Sequence, residues 1–336
     1  MARADSGIDL AARTRRALQA LLEGDLDAAE RELAEVVRAD SSDAVAYLAL
    51  AHLYRERGEI GRALRVHQNL LLRSDLSAPQ RGQVLRALAA DLQVGGYRER
   101  AIAAYEQVLE ADPGRSEAVD ALVELFAQTG QHESAIAVLK RSAGWLRRAD
   151  PRRESELLTE MAREKAERGK NEVARKTLKR AIKRDPRAAA PRVLLGELEA
   201  ERGHDKAALA AWCGAVERGP DEPDVLWERI AATYSALGRA DEFEPFAREC
   251  LARSPDDRAA CRALARMLAA RGDVDAALHE LRGLLDSAPG DAQTRAQLGR
   301  LLLAERRETD ALKAYEEWIE VLAPVQAAKA PGRDGA

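Results

Sequence analysis

Between residues 46 and 72 (AYLALAHLYRERGEIGRALRVHQNLLL) the apolar positions form two helical rows divided by a polar break. Leu48, Leu50, Leu53 and Tyr54 recur at helical spacing, Gly58 interrupts, and Ile60, Ala63, Leu64, Val66 and Leu70 resume the pattern. The stretch predicts a helix, a tight turn and a second helix. Ala51 and Ala63 are small where the two arms of such a hairpin must approach.

The pattern repeats along the chain. Aligning the turn glycine gives Gly24, Gly58, Gly96, Gly130, Gly169, Gly203, Gly238 and Gly272, with Arg306 in the ninth place, at steps of 34, 38, 34, 39, 34, 35, 34 and 34 residues. Five residues past the turn stand Ala29, Ala63, Ala101, Ala135, Ala174, Ala208, Phe243, Ala277 and Ala311; seven before it stand Ala17, Ala51, Ala89, Val123, Ala162, Gly196, Ala231, Ala265 and Gly299. A bulky side chain at either place would overpack the hairpin at a cost of about 1–3 kcal/mol. Pro113, Pro186, Pro220, Pro255 and Pro289 lie seventeen past the turn, where proline stops the second helix. Three markers in one register of about 34 residues resemble the tetratricopeptide repeat. That resemblance implies an all-α superhelical solenoid of about nine helical hairpins, spanning residues 9–322, with a concave groove lined by the first helices.

Two steps are long. RSDLSAPQRG (73–82) carries Ser77 and Gln80 at capping-box spacing with Pro79 between them, which predicts an extended first helix in the third hairpin. AGWLRRADPRRE (143–154) sets Trp145 beside Arg147, Arg148, Arg152 and Arg153, either a lengthened connection or a contact edge. Residues 1–8 and 323–336 are expected to be disordered. The last helix presents Leu312, Tyr315, Trp318, Ile319 and Leu322, and no polar capping helix follows them, which marks a docking or self-association surface.

Composition narrows the function. Apolar residues make up 46% of the chain but aromatics only 4%, so the core is built from Ala, Leu and Val. No apolar run reaches the ~18–20 residues of a membrane span, and the first residues show no signal-peptide core, which predicts a cytoplasmic protein. Cys213, Cys250 and Cys261 form no C-x-x-C pair and predict reduced thiols, with neither disulfide nor metal site. His52, His67, His132, His204 and His279 are scattered among the hairpins; His132 and His204 follow turn glycines, where solvated loops are expected, and His67 occupies the slot of Tyr105, Trp212 and Tyr315. With no nucleophile elbow, phosphate-binding loop, dinucleotide fingerprint or zinc motif, the reading is non-enzymatic, with no cofactor.

Binding chemistry is more legible. The repeat class implies that the groove takes His52, Arg55 and Glu56 from hairpin two and Gln83, Arg86 and Gln93 from hairpin three. Glu117, Asp120, Glu124, Glu156, Glu167, Glu197 and Glu201 follow from hairpins four to six, then Arg262, Arg266 and Arg300. Alternating charge zones suit an extended or helical peptide, and a solvated surface is the alternative. Asn69 and Asn171 fall outside this set, which argues against the clamp that holds the C-terminal carboxylate of heat-shock chaperones. A net charge of -4 argues against nucleic acid as the partner of the chain as a whole, yet residues 140–192 hold 18 Lys/Arg against 8 Asp/Glu. Arg175, Lys176, Lys179, Arg180, Lys183 and Arg184 make a basic stripe opposite Ala174, Leu178, Ala181 and Ile182. Such a face could meet anionic lipid, RNA or an acidic protein, or remain solvated.

LYRERGEIGRALRVHQNLL (53–71) and QRGQVLRALAADLQVGGYRERAIAAYEQVL (80–109) resemble consecutive repeats of the lipopolysaccharide assembly protein B family, including the insertion between them. The resemblance implies a cytoplasmic adaptor, peripheral to the inner membrane through its partners. It would work with a membrane protease on the committed deacetylase of lipid A formation. The N-terminal membrane helix and C-terminal rubredoxin-like domain of that family are not seen in this sequence. Setting packing aside leaves Arg55, Arg57, Arg62 and Gln68 as candidate partner contacts, with His52, Arg86, Glu124, Glu197 and Arg266 in the groove.

Overall fold

The structure is a computed structural model that describes residues 2–146 and 149–327, with side chains described for 10–146 and 149–321. Arg147, Arg148, the side chain of Leu322 and the tail from 328 onward therefore lie outside the described residues. Two compact units, Met1–Leu157 and Leu158–Ala336, divide the chain.

The first unit holds α1 (Ala2–Glu23), α2 (Leu26–Ala39), α3 (Ala44–Glu56), α4 (Ile60–Leu71), α5 (Ala78–Val94), α6 (Arg98–Ala111), α7 (Ser116–Gln128) and α8 (His132–Leu146). Helix α9 (Pro151–Glu167) contains the boundary. The second unit continues with α10 (Asn171–Arg184), α11 (Ala190–Ala200), α12 (Asp205–Val216), α13 (Pro223–Ala236), α14 (Phe243–Arg253), α15 (Arg258–Arg271), α16 (Val274–Ser287), α17 (Ala292–Ala304) and α18 (Glu308–Ala327). Odd and even helices pair as nine hairpins, and no strand occurs among the described residues. The backbone of 2–8 belongs to α1 and that of 323–327 to α18, within stretches the composition marks as unstructured.

Each hairpin closes where the register places it. The eight register glycines have φ between 67° and 92°, and Arg306 in the ninth turn adopts φ 57°. The alanines five past the turn are buried at every position from Ala29 to Ala311. The extended α5 starts on a complete Ser77–Gln80 capping box with Pro79 in its first turn. Helices α6, α10, α12, α14 and α16 all end before the marked prolines.

Within each unit the second helix of one hairpin packs on the first helix of the next, as α2 on α3, α4 on α5, α12 on α13 and α16 on α17. Leu33, Val36, Leu50, Leu53 and Tyr54 fill the seam between hairpins one and two. In the second unit Leu209, Trp212, Leu226, Trp227, Ile230, Leu264, Leu268, Leu278 and Leu281 form one large core. Gly196 is glycine because the Trp212 indole lies where its Cβ would be, and Gly299 meets Tyr315 in the same way. At Phe243 the alanine rule is broken, and a short 3-10 turn (Ala240–Glu242) delays the start of α14. Phe243 and Phe246 then pack with Trp227 and Tyr234, ring centroids 5.5–6.2 Å apart.

Candidate functional site

First helices lie side by side within each unit, α3 against α5 in the first and α13 and α17 against α15 in the second. In the first unit this face carries a polar constellation built from three helices. Asp91 of α5 is fully buried, and its two carboxylate oxygens are divided between neighbours. His67 Nδ1 of α4 lies 2.6 Å from Oδ2, and Arg55 Nη1 of α3 donates to Oδ1 at 3.2 Å. Arg55 Nη2 is in turn 3.0 Å from His52 Nδ1, and Tyr105 donates to Gln93 at 2.9 Å. His67 is a core residue, as its slot predicts, but a polar one.

The candidate contacts separate by what they touch. Arg57 reaches Asp27 and Glu30 of α2, while Arg62 bonds Glu59, Glu30 and the Tyr54 hydroxyl with its guanidinium 3.8 Å from the Tyr54 ring centre. Both arginines thus fasten hairpin two to hairpin one. Gln68 is exposed on α4. Arg86 is half-buried on α5 and makes no ion pair among the described residues. Glu124 is exposed beside Gln128 and Arg153, which also reaches Asp120.

In the second unit Glu197 is paired with Arg229 and Arg266 with Glu228. Arg262, placed in the groove by its register, is buried instead. It bridges Asp224 of α13, at 2.7 Å, to Asp291 before α17, also at 2.7 Å. Arginine-to-carboxylate links about one repeat apart thus join successive hairpins in both units. A search for Arg and acidic residues separated by roughly the period would have found them.

His132 corrects another expectation. It begins α8 and is buried rather than solvated. His204 does lie at a helix start, half-exposed, 2.9 Å from the buried Glu199. Burial raises the pKa of Glu199, but the hydrogen bonds from His204 and Arg175 outweigh it and hold the carboxyl below its ordinary value. Cys213, Cys250 and Cys261 are free, and burial pushes each thiol up to about 11, which keeps them protonated near neutrality.

On α10, Ala174, Leu178 and Ala181 are buried and the basic row faces outward. Arg175 is drawn to Glu199 and Glu172. Lys176, Lys179, Arg180 and Lys183 are exposed and make no ion pair among the described residues; Arg184 ends the exposed row. Trp145 is exposed, with the Arg141 guanidinium 5.8 Å from its ring.

Tetratricopeptide repeat profiles match residues 46–80, 98–152, 159–223 with 262–329, and 225–257, more than half of the chain. The chain belongs to the tetratricopeptide repeat family. Among curated relatives of this repeat protein is lipopolysaccharide assembly protein B of Escherichia coli K12, 23% identical over 226 residues, which are 67% of this chain and 58% of the relative. The protein of the same name from Haemophilus influenzae is 26% identical over 204 residues, 60% of this chain and 50% of the relative. The chain thus matches between half and three-fifths of these relatives' length. A solved structure of Naa15/Naa10 bound to HypK-THB shares the repeat fold, with TM-score 0.52 and 19% identity over 91% of this chain and 49% of that one. No helix among the described residues is long and apolar enough to cross a membrane.

Proposed function

We infer that this repeat protein is a non-enzymatic adaptor in lipopolysaccharide assembly, which binds a protein partner on the α3–α5 face of its first unit. The observation that carries the reading is the Arg55–Asp91–His67 constellation. It fixes α3, α4 and α5 in the segment that most resembles lipopolysaccharide assembly protein B, with His52 exposed beside it and Arg86 half-buried at another position around α5. A membrane protease and enzymes of lipopolysaccharide synthesis are the partners this reading names, and their membrane would hold the adaptor at the inner face of the envelope.

Arg86 is the residue to change, because no ion pair among the described residues depends on it. Affinity capture from native membranes should return envelope-biogenesis proteins with the wild type and lose them with Arg86→Glu, while the melting temperature stays within about 2 °C. Recovery of unrelated cytosolic enzymes alone, or capture indifferent to Arg86→Glu, would refute the adaptor reading.

A second reading is favoured by the four unpaired cations of α10, which suit an anionic surface, each basic residue near a charged membrane adding about 1 kcal/mol. Lys176→Glu with Arg180→Glu should abolish salt-sensitive binding to vesicles containing phosphatidylglycerol. Binding to single-stranded RNA instead would assign the stripe to nucleic acid, and no binding to either at low salt would leave it as solvated surface.

A further inference from the structure

The outer face of α18 repeats positions that are covered elsewhere in the chain. Six residues past the turn, Leu64, Ile136, Leu209 and Leu278 are buried, whereas Leu312 is 63% exposed. Nine past the turn, His67, Tyr105, Leu178, Trp212 and Leu281 are buried or enclosed by the core, whereas Tyr315 is exposed. Thirteen past the turn, Leu109 and Val216 are buried and Leu285 packs against the core, whereas Ile319 is 67% exposed. In the earlier hairpins a following first helix packs on the second helix, as α5 does on α4, α7 on α6, α13 on α12 and α17 on α16. Leu312, Tyr315 and Ile319 fall at i, i+3 and i+7, one stripe about 10 Å long.

Charge defines what would cover the stripe. At about 100° per residue the exposed Lys313 lies off to one side, while Glu308 prolongs the stripe at its N-terminal end and Glu316 and Glu320 flank it. All three glutamates are exposed and make no ion pair among the described residues. We propose that α18 docks a basic amphipathic helix of a partner protein, seated as the next first helix, with aliphatic side chains on Leu312, Tyr315 and Ile319 and Lys or Arg facing the three glutamates.

A second copy fits less well. Against hairpin one, α3 offers Ala46, Leu50 and Leu53, whereas at the same places α1 offers Ala12, Arg16 and Gln19. Two α18 faces would bring their carboxylates together.

The test uses the full chain and a fluorescein-labelled 18-residue helical peptide with leucines at i, i+3 and i+7 flanked by lysines. A peptide of the same composition with the leucine spacing broken serves as control. Anisotropy should show binding that the control lacks and that weakens with salt. Leu312→Ser with Ile319→Ser should reduce affinity at least tenfold. Glu316→Lys with Glu320→Lys, which alters only exposed charge, should abolish the salt dependence. Equal binding of the control peptide, or unchanged affinity in both variants, would overturn the proposal. So would sedimentation showing a dimer of the free protein that Leu312→Ser with Ile319→Ser dissolves.

Discussion

Asp91 is a fully buried carboxylate that serves Arg55 and His67 at once, so removing it strips His67 Nδ1 and Arg55 Nη1 of their shared partner. Asp91→Ala should cost about 3–5 kcal/mol in urea unfolding, the range for breaking a buried ion pair from one side. Glu199 makes a related arrangement sensitive to pH. Its folded pKa lies below the ordinary 4.5, so its contribution is complete above that value and is lost as the pH falls through the folded value. The stability gap between wild type and Glu199→Gln should therefore narrow as the pH drops below 4.5. At Gly196 the argument is volume. An added Cβ would lie 2.2 Å from the Trp212 indole nitrogen, which itself donates to the Val193 carbonyl, so Gly196→Ala should destabilise by about 1–3 kcal/mol. Small residues at this place are visible in the sequence, since backbone proximity excludes bulk. The ion pairs are not, because Arg57 and Asp27 or Arg262 and Asp224 meet only after stacking, and composition alone makes each look like a solvated surface charge.

The turn is the element that most directly ties sequence to fold. Eight of the nine turn positions are glycine because the backbone there is left-handed, and Arg306 holds φ 57° with a side chain that the conformation disfavours. Arg306 is exposed and makes no ion pair among the described residues. Arg306→Gly should therefore raise stability by up to about 1 kcal/mol in urea unfolding, whereas Gly58→Ala should lower it by a similar amount or more. Helix α14 shows where register reading stops. Phe243 keeps its place five past the turn, but its size is absorbed by the 3-10 turn before it, a backbone adjustment with no periodic signal. The helical hairpins were legible from period alone, while the candidate α3–α5 face was legible only as a list of side chains. Which of them remained available, such as Arg86, depended on which neighbours had already taken the others.

Across the whole molecule, each hairpin is stabilised mainly by those beside it, and stability in such arrays is close to a sum of local and nearest-neighbour contributions. Leu53→Ala, at a fully buried seam between hairpins one and two, should lower amide hydrogen-exchange protection most in α1 to α4. Protection in α15 to α18 should stay within error. Uniform loss along the chain would show that the array unfolds as one cooperative body.

The aromatic grouping around Trp227 has an optical consequence. Of the four tryptophans, Trp145 alone falls in the first unit and is already exposed, whereas Trp212 and Trp227 are buried in the second and Trp318 is half-buried there. Intrinsic fluorescence will therefore follow the second unit and be nearly blind to the first, while far-ultraviolet circular dichroism weighs both by their helical content. Fluorescence and dichroism curves that fail to coincide would report unequal unit stabilities, and a tryptophan placed at Tyr54, within the core of hairpins one and two, would give the first unit a signal of its own.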